Sequence, residues 1–78
     1  MNNFDRLINV FNAVFEDDVN VDSITLESNL RDDLDINSIG LLYMAMAIEE
    51  EFGIKFTNDD FPKINTVQDV LNVIDEKI

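Results

Sequence analysis

From Ser38 to Phe52 the apolar side chains fall into two stripes when plotted at about 100° per residue, the period of an α-helix. Leu41, Met44, Ala45, Ile48 and Phe52 form one stripe; Ile39, Leu42, Tyr43 and Met46 form a second, nearly opposite. Asn37 or Ser38 can cap the start of this helix, and Gly53 is a natural C-terminal stop. One stripe is enough to anchor a surface helix. A chain near this size buries only roughly 60% of the surface its unfolded form exposes, so little material remains to cover the other. The second stripe is therefore expected to be partly exposed and to serve as an interaction surface; the competing reading is a central helix buried all round. Glu49, Glu50 and Glu51 follow at the helix end. They form either a solvated face or the rim of a docking surface for Lys or Arg.

Two further segments carry helical periodicity. Phe4, Leu7, Ile8, Phe11, Val14 and Phe15 predict a first helix, capped by Asn2 or Asn3 and ending near Phe15, ahead of Glu16-Asp17-Asp18. Val67, Val70, Leu71, Ile74 and Ile78 predict a last helix that starts at Asn65 or Thr66. There Thr66 and Asp69 resemble a capping box, and Lys77 suits the C-terminal dipole. Asn58 can cap a short turn through Asp59, Asp60 and Phe61, limited by Pro62. Residues 16 to 37 form a long connection, expected to be ordered: Val19, Val21, Ile24, Leu26, Leu30, Leu34 and Ile36 can each dip toward a core, and a helical turn fits Ser28 to Asp32. The expected fold is all-α: a small bundle of three main helices plus one short helix, with a long first loop, in a single domain over residues 1–78.

Composition narrows the function. Seventeen acidic residues against five basic ones give a net charge of −12. Nucleic acid and anionic membrane surfaces are disfavoured partners, and a basic patch on another protein is the natural complement. The chain has no Cys and no His, which excludes disulfides, thiol chemistry and imidazole catalysis and fits a cytoplasmic protein. Met1-Asn2-Asn3-Phe4-Asp5 does not read as a signal peptide, and the apolar run Leu41 to Ile48 is too short to cross a bilayer. Asp33, Asp35 and Asn37 match the first ligand positions of a calcium loop, but Ser38 and Met44 stand where Gly and Glu are needed, so no metal site is assigned.

Ser38 is the one nucleophile at a structurally special place. It follows a loop and opens a helix, where a phosphate on its oxygen would meet free N–H groups and the positive end of the helix dipole. Most serines in such positions are simply caps.

The stretch Leu30-Arg31-Asp32-Asp33-Leu34-Asp35-Ile36-Asn37-Ser38-Ile39, followed by Ala47-Ile48-Glu49-Glu50-Glu51-Phe52-Gly53-Ile54, resembles the acyl carrier protein family. Phe61, Lys63-Ile64 and Thr66-Val67-Gln68-Asp69-Val70 extend the likeness. The resemblance implies a carrier that is not an enzyme. A phosphopantetheinyl transferase would attach 4′-phosphopantetheine from coenzyme A to Ser38, and the thiol of that arm would hold acyl groups as thioesters. It implies docking through Ile39, Leu42, Tyr43, Met46, Glu49 and Glu50 onto acyltransferase, synthase or ligase enzymes with basic patches. These would serve fatty-acid, polyketide or related biosynthesis, with the carrier a monomer. Three departures stand out: Asn37 replaces the family's Asp, Ile39 replaces Leu, and Gly40 and Tyr43 stand where fatty-acid carriers often have acids. They point to a shortened acidic strip and a specialised pathway. The alternative is an unmodified acidic adaptor that binds partners through its second helix.

Overall fold

The structure is a computed structural model that describes residues 2–15 and 21–78, Val21 by its backbone alone. Three α-helices, α1 (Asn3–Phe15), α2 (Ser38–Phe52) and α3 (Val67–Lys77), enclose one core. The first caps as its sequence suggests: Asn2 Oδ1 accepts a 2.8 Å hydrogen bond from the Asp5 N–H, satisfying one of the orphan donors of the first turn. Leu7, Val10 and Phe11 are buried, while Phe4, Ile8, Val14 and Phe15 pack at the margin of the core. Val10 is an addition to the face expected from the sequence. α1 lies against both α2 and α3.

α3 starts at Val67, one residue later than the latest expected start, because Thr66 is the cap itself. The capping box is complete: the Asp69 N–H donates to Thr66 Oγ1 at 3.2 Å, and Thr66 N–H donates to Asp69 Oδ2 at 3.1 Å. Val73 joins Val67, Val70, Leu71 and Ile74 in the core. Ile78, expected on that face, is 69% exposed. Ile78 is the C-cap of the helix: its N–H still donates to the Ile74 carbonyl at 3.1 Å, but its side chain lies past the last turn, in solvent.

Two short 3₁₀ turns supplement the helices, Val21–Ser23 and Phe61–Lys63. The second is the expected short helix, but Pro62 sits inside it instead of ending it, because proline is tolerated in a first turn. Its lead-in is organised by Asp60, whose carboxylate accepts from Thr57 N–H and Oγ1. Asn58, expected as the cap, is exposed.

The long connection is ordered through the part that is described. Ile24, Leu30, Leu34 and Ile36 are buried, whereas Leu26, also expected inside, is 39% exposed. Val19, the side chain of Val21 and Glu16-Asp17-Asp18 lie outside the described residues. Backbone hydrogen bonds fasten this segment to the start of α3. Leu30 N–H donates to the Asn65 carbonyl at 2.8 Å, Val67 N–H to Ser28 at 3.1 Å, and Gln68 N–H to Leu26 at 3.0 Å. The Asn29–Thr66 pair forms an isolated β-bridge within this seam. The expected turn near Ser28 begins at Asn29, whose carbonyl accepts from Asp33 N–H and Leu34 N–H.

Candidate functional site

The loop delivers the chain to α2 through a chain of local constraints. Asn29 Oδ1 accepts from the N–H groups of Arg31 and Asp32, each at 2.9 Å, and Asp33 Oδ2 accepts from Asn29 N–H at 2.6 Å. Asp35 then adopts φ 56°, a left-handed conformation that Asp tolerates better than most side chains. Ile36 N–H returns to the Leu30 carbonyl at 2.9 Å, which closes the loop and buries Ile36 beneath the start of the helix.

Asn37, not Ser38, caps α2. Its Oδ1 accepts from Gly40 N–H at 2.7 Å, and its carbonyl accepts from Leu41 N–H at 2.9 Å. Ser38 is therefore the first helical residue and is exposed. Among the described residues its hydroxyl has no hydrogen-bond partner, and the N–H groups of Ser38 and Ile39 have no acceptor. A nucleophilic oxygen thus stands free beside unsatisfied donors at the positive end of a helix of 15 residues. A phosphodiester on that oxygen fits this place, because its charge would be met by the dipole and no buried group would need to be uncovered.

The two stripes of α2 separate as their spacing predicts. Leu41, Met44, Ala45 and Ile48 are 0–6% exposed, and Phe52 is half-buried. Ile39, Leu42, Tyr43 and Met46 are 64%, 54%, 61% and 62% exposed. The three glutamates at the end do not act alike. Glu50 is exposed and has no hydrogen-bond or ion-pair partner among the described residues. Glu49 is half-buried, and its Oε2 accepts from Phe56 N–H at 2.7 Å, holding the chain that leaves Gly53. Glu51 is bound by Arg6 of α1: Arg6 Nε donates to Glu51 Oε2 at 2.9 Å, Nη2 donates to the Glu51 carbonyl at 2.7 Å, and the guanidinium lies 4.3 Å from the centre of the Phe52 ring. That clamp joins residues 45 apart in sequence, and no local pattern signals it.

Gly40 has a packing role. A Cβ there would stand 3.3 Å from both Ile36 Cγ2 and Phe15 Cε1. The bare backbone lets the end of α1 close onto the first turn of α2. A groove remains at this junction, walled by Val14, Phe15, Asp35, Ile39 and Tyr43 with Gly40 among its lining. Among the described residues, no cluster of three or more carboxylates could hold a metal ion.

Comparison with known proteins finds relatives along most of the chain. The family model described as the phosphopantetheine attachment site matches residues 5–74. The acyl carrier protein of Picosynechococcus sp. is 42% identical over 74 residues, covering 95% of this chain and 89% of the relative. That of Petrotoga mobilis is 38% identical over 60 residues, covering 77% and 71%. That of Thermosynechococcus vestitus is 32% identical over 78 residues, covering 97% and 96%. The match of that family model to residues 5–74, with these identities along most of the chain, places the chain in the phosphopantetheine-binding acyl carrier protein family.

Proposed function

We propose that Ser38 is the residue that receives the 4′-phosphopantetheine arm, and that residues 1–78 act as one carrier domain, a monomer, presenting thioester-bound acyl intermediates to successive biosynthetic enzymes. The observation that carries this reading is the exposed, unpartnered Ser38 hydroxyl at the first helical position of α2. The arm supplies the thiol that a chain without Cys lacks. The protein's own residues do the positioning. Asn37 fixes the helix start, the first-turn N–H groups and dipole face the phosphate, and the buried Ile36 and Leu41 anchor the backbone on either side.

The outer stripe of α2, Ile39, Leu42, Tyr43 and Met46, with Glu50 and Glu49 at its end, is the surface we assign to partner docking, first to the phosphopantetheinyl transferase and then to acyltransferase, synthase or ligase enzymes. On this reading the chain is a carrier and not a catalyst: tethering raises the effective concentration of cargo at each active site. No described helix is long and apolar enough to cross a membrane. We place the carrier in the cytoplasm, a compartment that supplies the proposed donor, coenzyme A.

The test is intact mass spectrometry after incubation with coenzyme A and a broad-specificity transferase. The expected result is one phosphopantetheine adduct on the wild-type chain and none on Ser38→Ala. A chain that stays unmodified across several transferases is the adaptor instead, and an adduct that persists in Ser38→Ala relocates the site.

A further inference from the structure

We infer, building on the reading of α2 as the docking helix, that the partner face it fits is mainly apolar and cationic only at its margins, not a basic patch. From Ser38 to Ile48 the helix carries no charged residue at all. Four large apolar side chains, Ile39, Leu42, Tyr43 and Met46, stand 54–64% exposed along its outer side, one of them next to the proposed attachment residue.

The charges that would draw a basic patch are mostly engaged or displaced. Glu49 holds Phe56 N–H, and Glu51 is bound to Arg6 on the side that faces α1. Among the described residues, what remains near the stripe is Glu50, with the partly engaged Glu49, at one end and Asp35, which lines the Gly40 groove, at the other. A lysine or arginine pressed over the middle of the stripe would lose its hydration with no α2 carboxylate beside it, since α2 carries none before Glu49, and an uncompensated buried charge is among the costliest features an interface can hold. An aliphatic or aromatic side chain there loses nothing polar. The Gly40 groove between Phe15 and Tyr43 gives such a side chain a seat, in the manner of an anchor in a pocket. Positive charge on the partner is useful only opposite Asp35 and Glu50, where rim contacts steer approach more than they hold the complex.

The experiment uses the transferase that loads the chain in the assay above, with coenzyme A and the unmodified 78-residue chain. Leu42→Ala, Tyr43→Ala and Met46→Ala each keep a good helix former at an exposed site, and thermal unfolding by circular dichroism verifies that they fold. Each is expected to lower kcat/KM about tenfold, mainly through KM, as truncation of an interface anchor does. Asp35→Asn and Glu50→Gln are expected to lower it less than about threefold, and raising sodium chloride from about 50 to about 300 mM to change it less than about fivefold. Silent apolar truncations, tenfold losses on neutralising the acids, or a steep fall with salt would overturn the inference while leaving the carrier reading intact. A wild-type chain that accepts no arm overturns both.

Discussion

Lys77 Nζ lies 3.0 Å from Asp60 Oδ2, joining the last turn of α3 to the loop that follows α2. Asp60 is buried, and its Oδ2 also accepts from Thr57 N–H at 2.8 Å and Thr57 Oγ1 at 3.1 Å. The Thr57 backbone N–H, then the Lys77 ammonium, holds the Asp60 carboxyl below its ordinary value, against the opposing pull of burial.

A carboxyl with a depressed pKa in the folded state stabilises the fold above its unfolded pKa and loses that contribution as pH falls through the folded value. Asp60→Asn is therefore expected to lower the melting temperature at neutral pH. The gap from the wild type should close as the solution is taken below the ordinary carboxylate range. Thermal unfolding of both proteins across acidic and neutral pH measures this, and a gap that widens on acidification would contradict it.

Asn37 supplies the side-chain N-cap of α2. Asn37→Ala is expected to cost about 1 kcal/mol of stability, the usual value of a lost N-cap, whereas Asn37→Asp should keep the cap and gain from the dipole. Denaturant unfolding of the three proteins ranks them. Equal midpoints would mean that the Gly40 N–H finds another acceptor.

Gly53 ends α2 at φ 68°, and a Cβ there would meet nothing within 4 Å. The cost of a side chain is thus purely conformational. Gly53→Ala is expected to lose about 1 kcal/mol, with Gly53→Asn losing less because Asn visits the left-handed region more readily. Urea titrations with unchanged slopes would establish both values.

The net charge of −12 sets a further expectation. Only two ion pairs, Arg6–Glu51 and Lys77–Asp60, are seen among the described residues, so most acids meet one another across solvent. Added salt or magnesium should raise the melting temperature by screening that repulsion. A flat response in calorimetry from low to physiological ionic strength would refute it.

How much of this was written locally in the sequence can be argued residue by residue. Thr66 with Asp69, Asn2 with Asp5, and the two stripes of α2 depend on neighbours within one or two turns, and they are legible. Asn37 against Ser38 was ambiguous because both residue types cap, and only the backbone register decides. Arg6 on Glu51, Glu49 on Phe56 N–H, Lys77 on Asp60 and the Asn29–Thr66 bridge depend on where the bundle folds back on itself, so periodicity carries no trace of them. Gly40 illustrates the same limit: from the sequence it is a missing acid, whereas in the fold it is the point where Phe15 approaches the helix. Ile78 and Leu26 lie outside the core because an apolar residue past the last turn of a helix, or on the outside of a turn, obeys no stripe.

The split character of α2 also shapes how such a protein can change over time. The side chains that keep the bundle folded and those we assign to partner docking occupy the same 15 residues but share almost no positions. Substitutions at 39, 42, 43 and 46 can drift toward new clients with little penalty to the scaffold, and the scaffold can be tightened at 41, 44, 45 and 48 without altering what the outside world sees. One helix thereby separates inheritance of shape from choice of company.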